Sequence, residues 1–475
     1  VQSGRIRGGG MRKGILRMLG KVKHYDVIVI GSGSGGAIVD AALNQGLRVA
    51  WVDKGPVGGT CINVGCVPSK ILVVPANHIV EIHEAGKLGI EAELGEVDFA
   101  AIMERARQPR TRTQQHIRGA IEHVDALDFY ETEAHFVDSH TLQVGETRIQ
   151  GDKVFIVAGA RPAIPPIEGL DEIPYLTNDT VFELNERPES LVIIGGGYIA
   201  CELGHFFSAV GTDATIVQRN ERLVPDEEPE ISDLLLRKMS ERMRILTATE
   251  AVAVHSEGSG YTVVGENRRT SEQMEVTGTH VLVATGRTSN ADLLQVANAG
   301  IETDTRGYIV ANPYLQTNVE NIWALGDAIG KPMFKHTANR EATIAWHNSQ
   351  HTHQTPMDYR AVPHAVFTYP EIASVGLTEA QARQEHDIRV GKAMYDDVAY
   401  GIALVEKEGF AKAVVDADSR ELLGFHIVGP YAAILIQEVV NAMAAGNVIG
   451  QLRQGLHIHP ALPELILTTL GNLAA

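Results

Sequence analysis

The chain has 475 residues, of which 44% are hydrophobic and 21% are charged, and its formal net charge is −18. This length allows two to four domains with cores of their own, and the composition is that of an ordered soluble protein. The acidic balance argues against non-specific nucleic-acid binding, and no run of about 18 apolar residues predicts a membrane span, so a cytoplasmic protein is expected. Three cysteines are too few for a secreted disulfide scaffold, so their spacing has to be examined for chemistry.

The amino terminus is a basic segment. Residues 1–24 contain arginines and lysines but no acidic side chain. No apolar core of a secretory signal is present in this segment. We interpret residues 1–24 as an extension or a basic leader that does not belong to the fold.

A dinucleotide-binding fingerprint follows. The β-branched run Tyr25–Ile30 predicts a buried parallel strand. Directly after it, Gly31, Gly33 and Gly36 have the GxGxxG spacing, which allows a tight turn and a close approach of pyrophosphate to a helix N-terminus. The next apolar run ends at Asp53, whose carboxylate is placed to accept hydrogen bonds from a ribose.

The same pattern recurs after the strand predicted over 191–194. The spacing is now GxGxxA, formed by Gly195, Gly197 and Ala200. Gln218 stands where the first unit has Asp53, and Arg219 and Arg222 are close to it in sequence. Because a carboxylate would repel a 2′-phosphate and arginine would attract it, this unit is predicted to prefer NADPH over NADH. Two fingerprints imply two nucleotide sites, one for a flavin dinucleotide and one for a nicotinamide cofactor.

A pair of cysteines lies between the two fingerprints. Cys61 and Cys66 are five positions apart, and in an ideal helix their Cα atoms would be roughly 8–9 Å from each other. A disulfide needs less than about 7 Å, so a distorted helix is expected, with Gly65 and Pro68 as the causes. Cys201 lies within a predicted helix and is expected to be a small core residue.

The segment GGTCINVGCVPSK, residues 58–70, resembles the active-site signature of the class I pyridine nucleotide–disulfide oxidoreductases. The resemblance extends from about Tyr25 to Leu473. Further family markers occur in the expected order: VAGARP at 157–162, ATGRTSN at 284–290, NIWALGDA at 321–328 and HPALPE at 459–464.

The resemblance implies an α/β fold with two Rossmann-like domains, which bind FAD and NAD(P), and an α+β C-terminal dimerisation domain. The expected boundaries are 25–150 for the FAD-binding domain, 151–283 for the NAD(P)-binding domain, 284–350 for a central part that completes the FAD domain, and 351–475 for the dimerisation domain. Within the last of these, two strands around a turn at Asp416–Arg420 and a helix from about Tyr431 to Ala445 are predicted. A homodimer is expected.

The resemblance also implies catalytic roles. Cys61 would attack the substrate, and Cys66 would face the flavin. Lys70 and Glu202 would form an ion pair near the flavin, where a positive charge stabilises the reduced ring.

Three further residues receive roles in the same way. Tyr198 would cover the nicotinamide pocket. His459 would be the acid/base for the Cys61 of the other chain, with Glu464 orienting its ring.

The two fingerprints and the resemblance together give the expected cofactor-binding set. It comprises Gly31, Gly33, Gly36, Asp53, Gly59, Thr60, Lys70, Gly159, Gly195, Gly197, Ala200, Gln218, Arg219, Gly286, Arg287, Gly326 and Asp327. No metal is expected, because the histidines at 347, 351 and 353 have no carboxylate or cysteine partner at a suitable spacing.

Within the family, the chain resembles both the archaeal type of dihydrolipoyl dehydrogenase and mycothione reductase. The expected reaction passes electrons between NAD(P)H, FAD, the Cys61–Cys66 disulfide and a small dithiol or disulfide, with a lipoyl-bearing acyltransferase as a partner. One alternative is an NADPH-dependent reductase of a low-molecular-weight disulfide, similar to mycothione or glutathione reductase. Another is a non-catalytic flavoprotein subunit of a lipoyl complex. Mercuric reductase and large thioredoxin reductase are not expected, because the chain shows neither a GMTCxxC-like module nor a terminal cysteine pair.

Overall fold

The structure is a computed structural model that describes residues 22–446 and 449–474. The predicted basic leader lies outside the described residues except at its end, where the first strand begins at Lys23. The chain divides into two compact units. Unit 1 contains residues 22–59, Thr113–Arg161 and Thr288–Met357, and unit 2 contains Thr60–Arg112, Pro162–Arg287 and residues 358–474.

The strands are numbered in chain order. They are β1 (Lys23–Ile30), β2 (Val49–Asp53), β3 (Leu127–Glu131), β4 (Ala134–Phe136), β5 (Thr141–Val144), β6 (Thr147–Ile156), β7 (Ala160–Pro162), β8 (Ser190–Ile194), β9 (Asp213–Val217), β10 (Arg244–Leu246), β11 (Thr249–Glu257), β12 (Gly260–Asn267), β13 (Gln273–Gly278), β14 (His280–Val283), β15 (Arg287–Ser289), β16 (Ile322–Ala324), β17 (Pro363–Val366), β18 (Ile372–Gly376), β19 (Ile388–Met394), β20 (Phe410–Asp416) and β21 (Leu422–Val428).

The α-helices are numbered in the same way. They are α1 (Gly36–Asn44), α2 (Gly59–Asn63), α3 (Cys66–Glu84), α4 (Phe99–Ile121), α5 (Tyr198–Ala209), α6 (Pro229–Ser240), α7 (Lys335–Gln350), α8 (Glu379–Ala382), α9 (Ala399–Ala403), α10 (Ala432–Ala444), α11 (Ile449–Gln454) and α12 (Glu464–Gly471).

Unit 1 is built on a mixed sheet with the strand order β3-β2-β1-β6-β5-β4, and β16 adds to β6. Strands β3, β2, β1, β6 and β16 are parallel, whereas β4 and β5 form antiparallel pairs. The central residues 27–29 of β1 are fully buried, as expected for a strand covered on both faces. This is the predicted Rossmann-like arrangement, with the first glycine-rich loop at the carboxyl end of β1.

Unit 2 contains a second parallel sheet, in the order β10-β9-β8-β14, and an antiparallel meander of β11, β12 and β13. Its C-terminal part is a five-stranded antiparallel sheet in the order β17-β18-β21-β20-β19, against which α10 and α12 pack. The predicted fold class is confirmed: a mixed sheet with a parallel core in unit 1, a parallel sheet in unit 2 and a C-terminal α+β part within unit 2 are present.

The segment Gly59–Leu88 is long and apolar enough to pass a length-and-composition test for a membrane span, with a mean hydropathy of 1.3. In the structure it is two helices, α2 and α3, separated by a break. Helix α3 buries one face, formed by Leu72, Val73, Ala76, Ile79 and Val80, and packs against α5. We interpret α3 as a helix of unit 2 with one buried face, in a segment whose apolar window is 28% buried.

Candidate functional site

The first glycine-rich loop lies in unit 1 and is shaped by two close backbone approaches. Gly31 has φ +110°, and a Cβ on it would clash with the carbonyl oxygen of Val157. Gly33 lies against Gly59, where an added Cβ would be 2.6 Å from the Gly33 Cα. Only glycine fits at positions 31 and 59, so the loop keeps its backbone amides open to a phosphate group.

Asp53 fixes the edge of this loop. Its Oδ2 accepts a hydrogen bond from the Ser32 backbone N–H at 2.6 Å, and its Oδ1 accepts one from Gly55 at 2.8 Å. The carboxylate remains half-buried at the end of β2, which is the place from which this residue type contacts a ribose.

The other predicted flavin residues of unit 1 lie near the start of α7. The Gly326 N–H donates to Glu341 Oε2 at 2.7 Å, and the next residue, Asp327, is half-buried. Gly159 has φ +66°, and its carbonyl accepts from the Asn290 N–H. A glycine-rich loop with open backbone amides and the Asp53 carboxylate at its edge fits FAD in the chemistry of its donors and acceptors.

The second glycine-rich loop, in unit 2, repeats the first. Gly195 has φ +123°, and a Cβ on it would clash with the carbonyl oxygen of Ala284. Gly197 precedes α5 and has open space around the position of a Cβ, whereas Ala200 is fully buried in the helix. The first glycine of each fingerprint therefore meets the corresponding strand-end carbonyl in the same way.

The strand-end residue differs between the two loops. Gln218 is buried, and its Nε2 donates to the Arg222 carbonyl at 3.1 Å. Arg222 also pairs through Nε with Asp233 at 2.7 Å, so a carboxylate already compensates part of its charge. Arg219 is exposed, and within residues 22–446 and 449–474 it forms no ion pair. Of the two arginines, Arg219 is therefore the one with an available charge.

The crossover back towards unit 1 carries Gly286 and Arg287. Gly286 has φ +125°, and its carbonyl accepts from the Ala163 N–H at 2.9 Å. Arg287 begins β15 and is partly buried.

The two cysteines lie on either side of a helix break. Helix α2 ends at Asn63, and α3 begins at Cys66 after Gly65, whose φ and ψ are −136° and −120°. A Cβ on Gly65 would lie 2.9 Å from the Thr60 carbonyl oxygen. The predicted distortion is present, but Pro68 is not its cause: Pro68 is the third residue of α3, where no backbone donor is needed.

The side chains of Cys61 and Cys66 are joined by a hydrogen bond. The hydrogen bond from Cys61, the positive charge of Lys70 and the backbone at the start of α3 together lower the pKa of Cys66 to about 6, against the opposing effects of burial and of Glu202. At neutral pH Cys66 is therefore mainly a thiolate, which is the nucleophilic form.

Lys70 is held in place by a buried carboxylate. Its Nζ lies 2.6 Å from Glu202 Oε2, and Glu202 is 5% exposed. The other carboxylate oxygen, Oε1, accepts from the Phe367 N–H at 3.1 Å, and the Lys70 ammonium lies 4.3 Å from the centre of the Phe367 ring. The positive charge of Lys70 is thus stabilised by the Glu202 carboxylate and by the face of the Phe367 ring.

Phe367 and Glu371 were not found by the sequence analysis. Burial, and then the negative charge of Glu202, raise the pKa of Glu371, whereas Lys70 opposes this. Both residues follow the start of the C-terminal sheet, about 300 positions after the cysteines, and no spacing pattern connects the two segments.

His459 and Glu464 form a pair of their own. His459 Nδ1 lies 2.8 Å from Glu464 Oε1, and Glu464 Oε2 accepts from the Ala461 N–H at 3.1 Å. The contact with His459 lowers the pKa of Glu464. Glu464 is the first residue of α12, where a carboxylate is favourable, and the side chain of His459 is 72% exposed.

Tyr198 and Cys201 both lie on α5. Tyr198, the first residue of the helix, is 38% exposed. Cys201 is fully buried, its thiol donates to the Gly196 carbonyl, and burial raises its pKa. Cys201 is an inert core residue, as predicted from its position in the helix.

Comparison with known proteins identifies the family. Residues 25–342 match the pyridine nucleotide-disulphide oxidoreductase family, and residues 362–470 match its dimerisation domain. The chain belongs to the pyridine nucleotide-disulphide oxidoreductases. Its members use FAD with NAD(P)H, so the two fingerprints of this oxidoreductase correspond to a flavin and a nicotinamide cofactor, as predicted.

Several relatives of this oxidoreductase are enzymes. It is 36% identical to mycothione reductase of Mycobacterium tuberculosis over 469 residues, which is 95% of this chain and 100% of the relative. It is 35% identical to a mercuric reductase of Staphylococcus aureus over 436 residues (90% and 78%), and 32% identical to dihydrolipoyl dehydrogenase of Bacillus subtilis over 451 residues (93% and 95%).

A solved structure is similar over nearly the whole oxidoreductase. The Cu(II) complex of the HOCl-induced flavoprotein disulfide reductase RclA from Escherichia coli has a TM-score of 0.84 and 27% identity, with 95% of this chain and 99% of the other covered.

Proposed function

We propose that this oxidoreductase uses NADPH to reduce a low-molecular-weight disulfide, with Cys61 and Cys66 as its redox pair. The observation that carries the proposal is the contact of the two thiols at the start of α3, where the pKa of Cys66 is lowered to about 6. A cysteine that is a thiolate at neutral pH, next to a second thiol, is suited to disulfide exchange.

The proposed cycle balances as a two-electron transfer. NADPH supplies a hydride, and the electron pair reduces the Cys61–Cys66 disulfide to two thiols. Cys61 attacks the substrate disulfide and releases one thiol, and Cys66 then attacks the Cys61 sulfur, which releases the second thiol and closes the internal disulfide. The sum is one disulfide, one NADPH and one proton giving two thiols and NADP+. FAD, when bound, carries the electron pair between the nicotinamide and the disulfide.

The preference for NADPH rests on the second glycine-rich loop. Gln218 presents no carboxylate at the ribose edge, and Arg219 is an exposed cation beside it. A charge-assisted contact with a phosphate is worth roughly 1.5–3 kcal/mol, which corresponds to about one to two powers of ten in kcat/KM. Initial rates with NADPH and NADH at low concentration test this preference, and a clear preference for NADH would contradict it.

The relatives support the proposed substrate class. The identity of 36% with mycothione reductase extends over that enzyme's full length, which favours a small thiol disulfide. The second candidate is NAD-dependent oxidation of a lipoyl dithiol together with a lipoyl-bearing acyltransferase, which the 32% identity with dihydrolipoyl dehydrogenase supports.

One turnover screen separates these candidates. The purified holoenzyme is assayed with NADPH and NADH against mycothiol disulfide, glutathione disulfide, lipoamide and Hg(II), and with NAD+ against dihydrolipoamide. NADPH-dependent turnover of a thiol disulfide supports the proposal. Faster turnover of dihydrolipoamide with NAD+ favours the second candidate, turnover of Hg(II) alone favours a mercuric reductase, and bound FAD without any turnover favours a non-catalytic flavoprotein.

We further propose a cytoplasmic homodimer in which His459 of one chain acts on Cys61 of the other. The dimerisation domain covers residues 362–470. Around the exposed His459, Leu456 and Ile458 expose 103% and 78% of their surface, and apolar side chains at this density are typical of an interface. Mixing chains that carry His459→Gln with chains that carry Cys61→Ser should restore activity in the mixed dimers. No restoration despite proven exchange of chains would mean that each chain holds its own site.

A further inference from the structure

Helices α3 and α5 are joined by two polar bridges on one shared stripe. The first is the Lys70–Glu202 ion pair. The second is a hydrogen bond of 2.7 Å between His205 Nε2 and Asn77 Oδ1. Asn77 is seven positions after Lys70, and His205 is three positions after Glu202, so in each helix the bridging residues lie on the same face.

The second bridge continues beyond the helix pair. Arg242 Nη1 lies 3.2 Å from His205 Nδ1, and Arg242 Nη2 donates to the Tyr369 carbonyl at 2.8 Å. Tyr369 in turn donates from its hydroxyl to Glu84 Oε2, at the last residue of α3, at 3.1 Å. This relay connects α3, α5, the turn after α6 and the segment after β17.

His205 has a single possible hydrogen-bonding arrangement in this relay. Its side chain is fully buried. Arginine only donates, so Nδ1 must accept from Arg242, and Nε2 must then carry the hydrogen that is donated to Asn77. Burial, and then the charge of Arg242, lower the pKa of His205 to about 3, so the ring stays neutral and the arrangement persists at working pH.

We propose that His205 is a positioning residue, which through Asn77 and Arg242 fixes α3 against α5 and so holds the Lys70–Glu202 ion pair in place beside Cys66. Lys70 is four positions after Cys66 on α3, one turn along the same face. The ion pair and the His205 bridge join the same two helices, and Phe367, in the segment after β17, contacts both members of the ion pair.

The expected consequence is a change in the proton affinity of Cys66. Lys70 is one of the groups that lower the pKa of Cys66. At an effective dielectric constant near 20, moving a charge from about 4 to about 5 Å changes a protonation equilibrium by a factor of roughly four. Loosening of the helix pair should therefore raise the apparent pKa of Cys66 by about 0.5 to 1.

The test measures alkylation of Cys66 in reduced holoenzyme by iodoacetamide between about pH 5 and pH 8, resolved by mass spectrometry of the Cys66 peptide. His205→Leu and Asn77→Ala remove the same bridge from opposite helices. Each should slow alkylation roughly two- to fivefold near pH 6 and leave the rate at high pH unchanged, because the thiol is then fully ionised. His205→Gln supplies one hydrogen-bond donor and one acceptor. The midpoint of its Cys66 alkylation profile should therefore lie closer to that of the unmodified enzyme than the midpoint of His205→Leu does.

The control is Thr249→Val. Thr249 is buried in the β11–β13 meander of the same unit, and its hydroxyl donates to the Thr247 carbonyl at 3.0 Å. This variant loses a buried hydrogen bond far from α3 in sequence and should keep the Cys66 profile of the unmodified enzyme.

Three results would overturn the proposal: unchanged profiles in both bridge variants, an equal displacement in Thr249→Val, or no recovery with glutamine at position 205. If His205→Leu does not fold, Asn77→Ala, whose side chain is only partly buried, decides the question. The inference rests on the proposed redox role of Cys61 and Cys66, but the readout needs no turnover. An unmodified enzyme without disulfide turnover would instead contradict the proposed function.

Discussion

The hydrogen bond from Cys61 should control the ionisation of Cys66. It is the largest of the effects that lower the pKa of Cys66 to about 6. Cys61→Ala removes the donor, whereas Cys61→Ser keeps a hydroxyl donor at the same position. The pKa of Cys66 should therefore rise in the alanine variant and stay closer to its original value in the serine variant.

The magnitude follows from the charge on the acceptor. A hydrogen bond to a charged group contributes about 1.5–3 kcal/mol, which corresponds to a change of roughly one to two in pKa. Part of the Cys66 surface is accessible to solvent although burial affects its thiol. Solvent screening reduces such contributions, so a rise of about one in the pKa of Cys66 is expected. In the alanine variant the Cys66 thiolate is therefore protonated at a higher pH than in the serine variant. Near pH 6, Cys66 of the alanine variant should be alkylated roughly fivefold more slowly than Cys66 of the serine variant.

The assay is the pH dependence of iodoacetamide labelling in the two reduced variants. Cys201 serves as an internal control, because it is fully buried and burial raises its pKa, so it should stay unlabelled in both. Equal midpoints for Cys66 in the alanine and serine variants would refute the reasoning, since the two differ in the hydrogen-bond donor at position 61.

The remaining predictions concern the cofactors and the acid/base. The purified protein should contain one FAD per chain, and a protein that neither contains nor takes up FAD would contradict the assignment of Asp53 and the first loop. After reduction, the unmodified enzyme should show a long-wavelength thiolate-to-flavin absorbance, which the Cys66→Ser variant should lack. His459→Gln should lower kcat roughly 100-fold or more, the usual range for a lost general acid/base, as measured by steady-state turnover. Gln218→Glu combined with Arg219→Ala should reverse the preference from NADPH to NADH, as measured by the ratio of kcat/KM values, and an unchanged ratio would remove these residues from cofactor selection.

The fold and the nucleotide loops were predictable because their signals are local. The run Tyr25–Ile30 and the glycines after it form one strand and one turn, so the sequence signals for both elements lie next to each other in the chain. The same holds for the turn at Asp416–Arg420, which joins β20 and β21, and for the helix predicted from about Tyr431, which is α10. In each case the periodicity and the turn residues lie within the element itself.

The details of the site needed the structure. Spacing predicted a distorted helix between Cys61 and Cys66, but it assigned part of the distortion to Pro68, because a proline's position within a helix is not known until the start of the helix is known. The ion pair of Arg222 with Asp233, eleven positions later, could not be predicted from the spacing of the second fingerprint, and the contact of Arg222 with a phosphate stays a prediction. His205 gave no signal at all, because its ring partners, Asn77 and Arg242, come from two other segments of the chain.

The two glycine-rich loops use the same backbone conformation for two different nucleotides. Gly31 and Gly195 adopt nearly the same φ, and each lies against the carbonyl of a strand end where no Cβ fits. This shared backbone supports a pyrophosphate but does not distinguish one dinucleotide from another. The two nucleotides are distinguished by the residue at the end of the second strand of each unit. The Asp53 carboxylate accepts a hydrogen bond from the Ser32 backbone N–H. The Gln218 side-chain amide donates to the Arg222 carbonyl, and Gln218 places no negative charge at the edge of its loop. A pair of substitutions at positions 218 and 219 should therefore change the cofactor without changing the loop, because phosphate binding and ribose selection depend on different atoms.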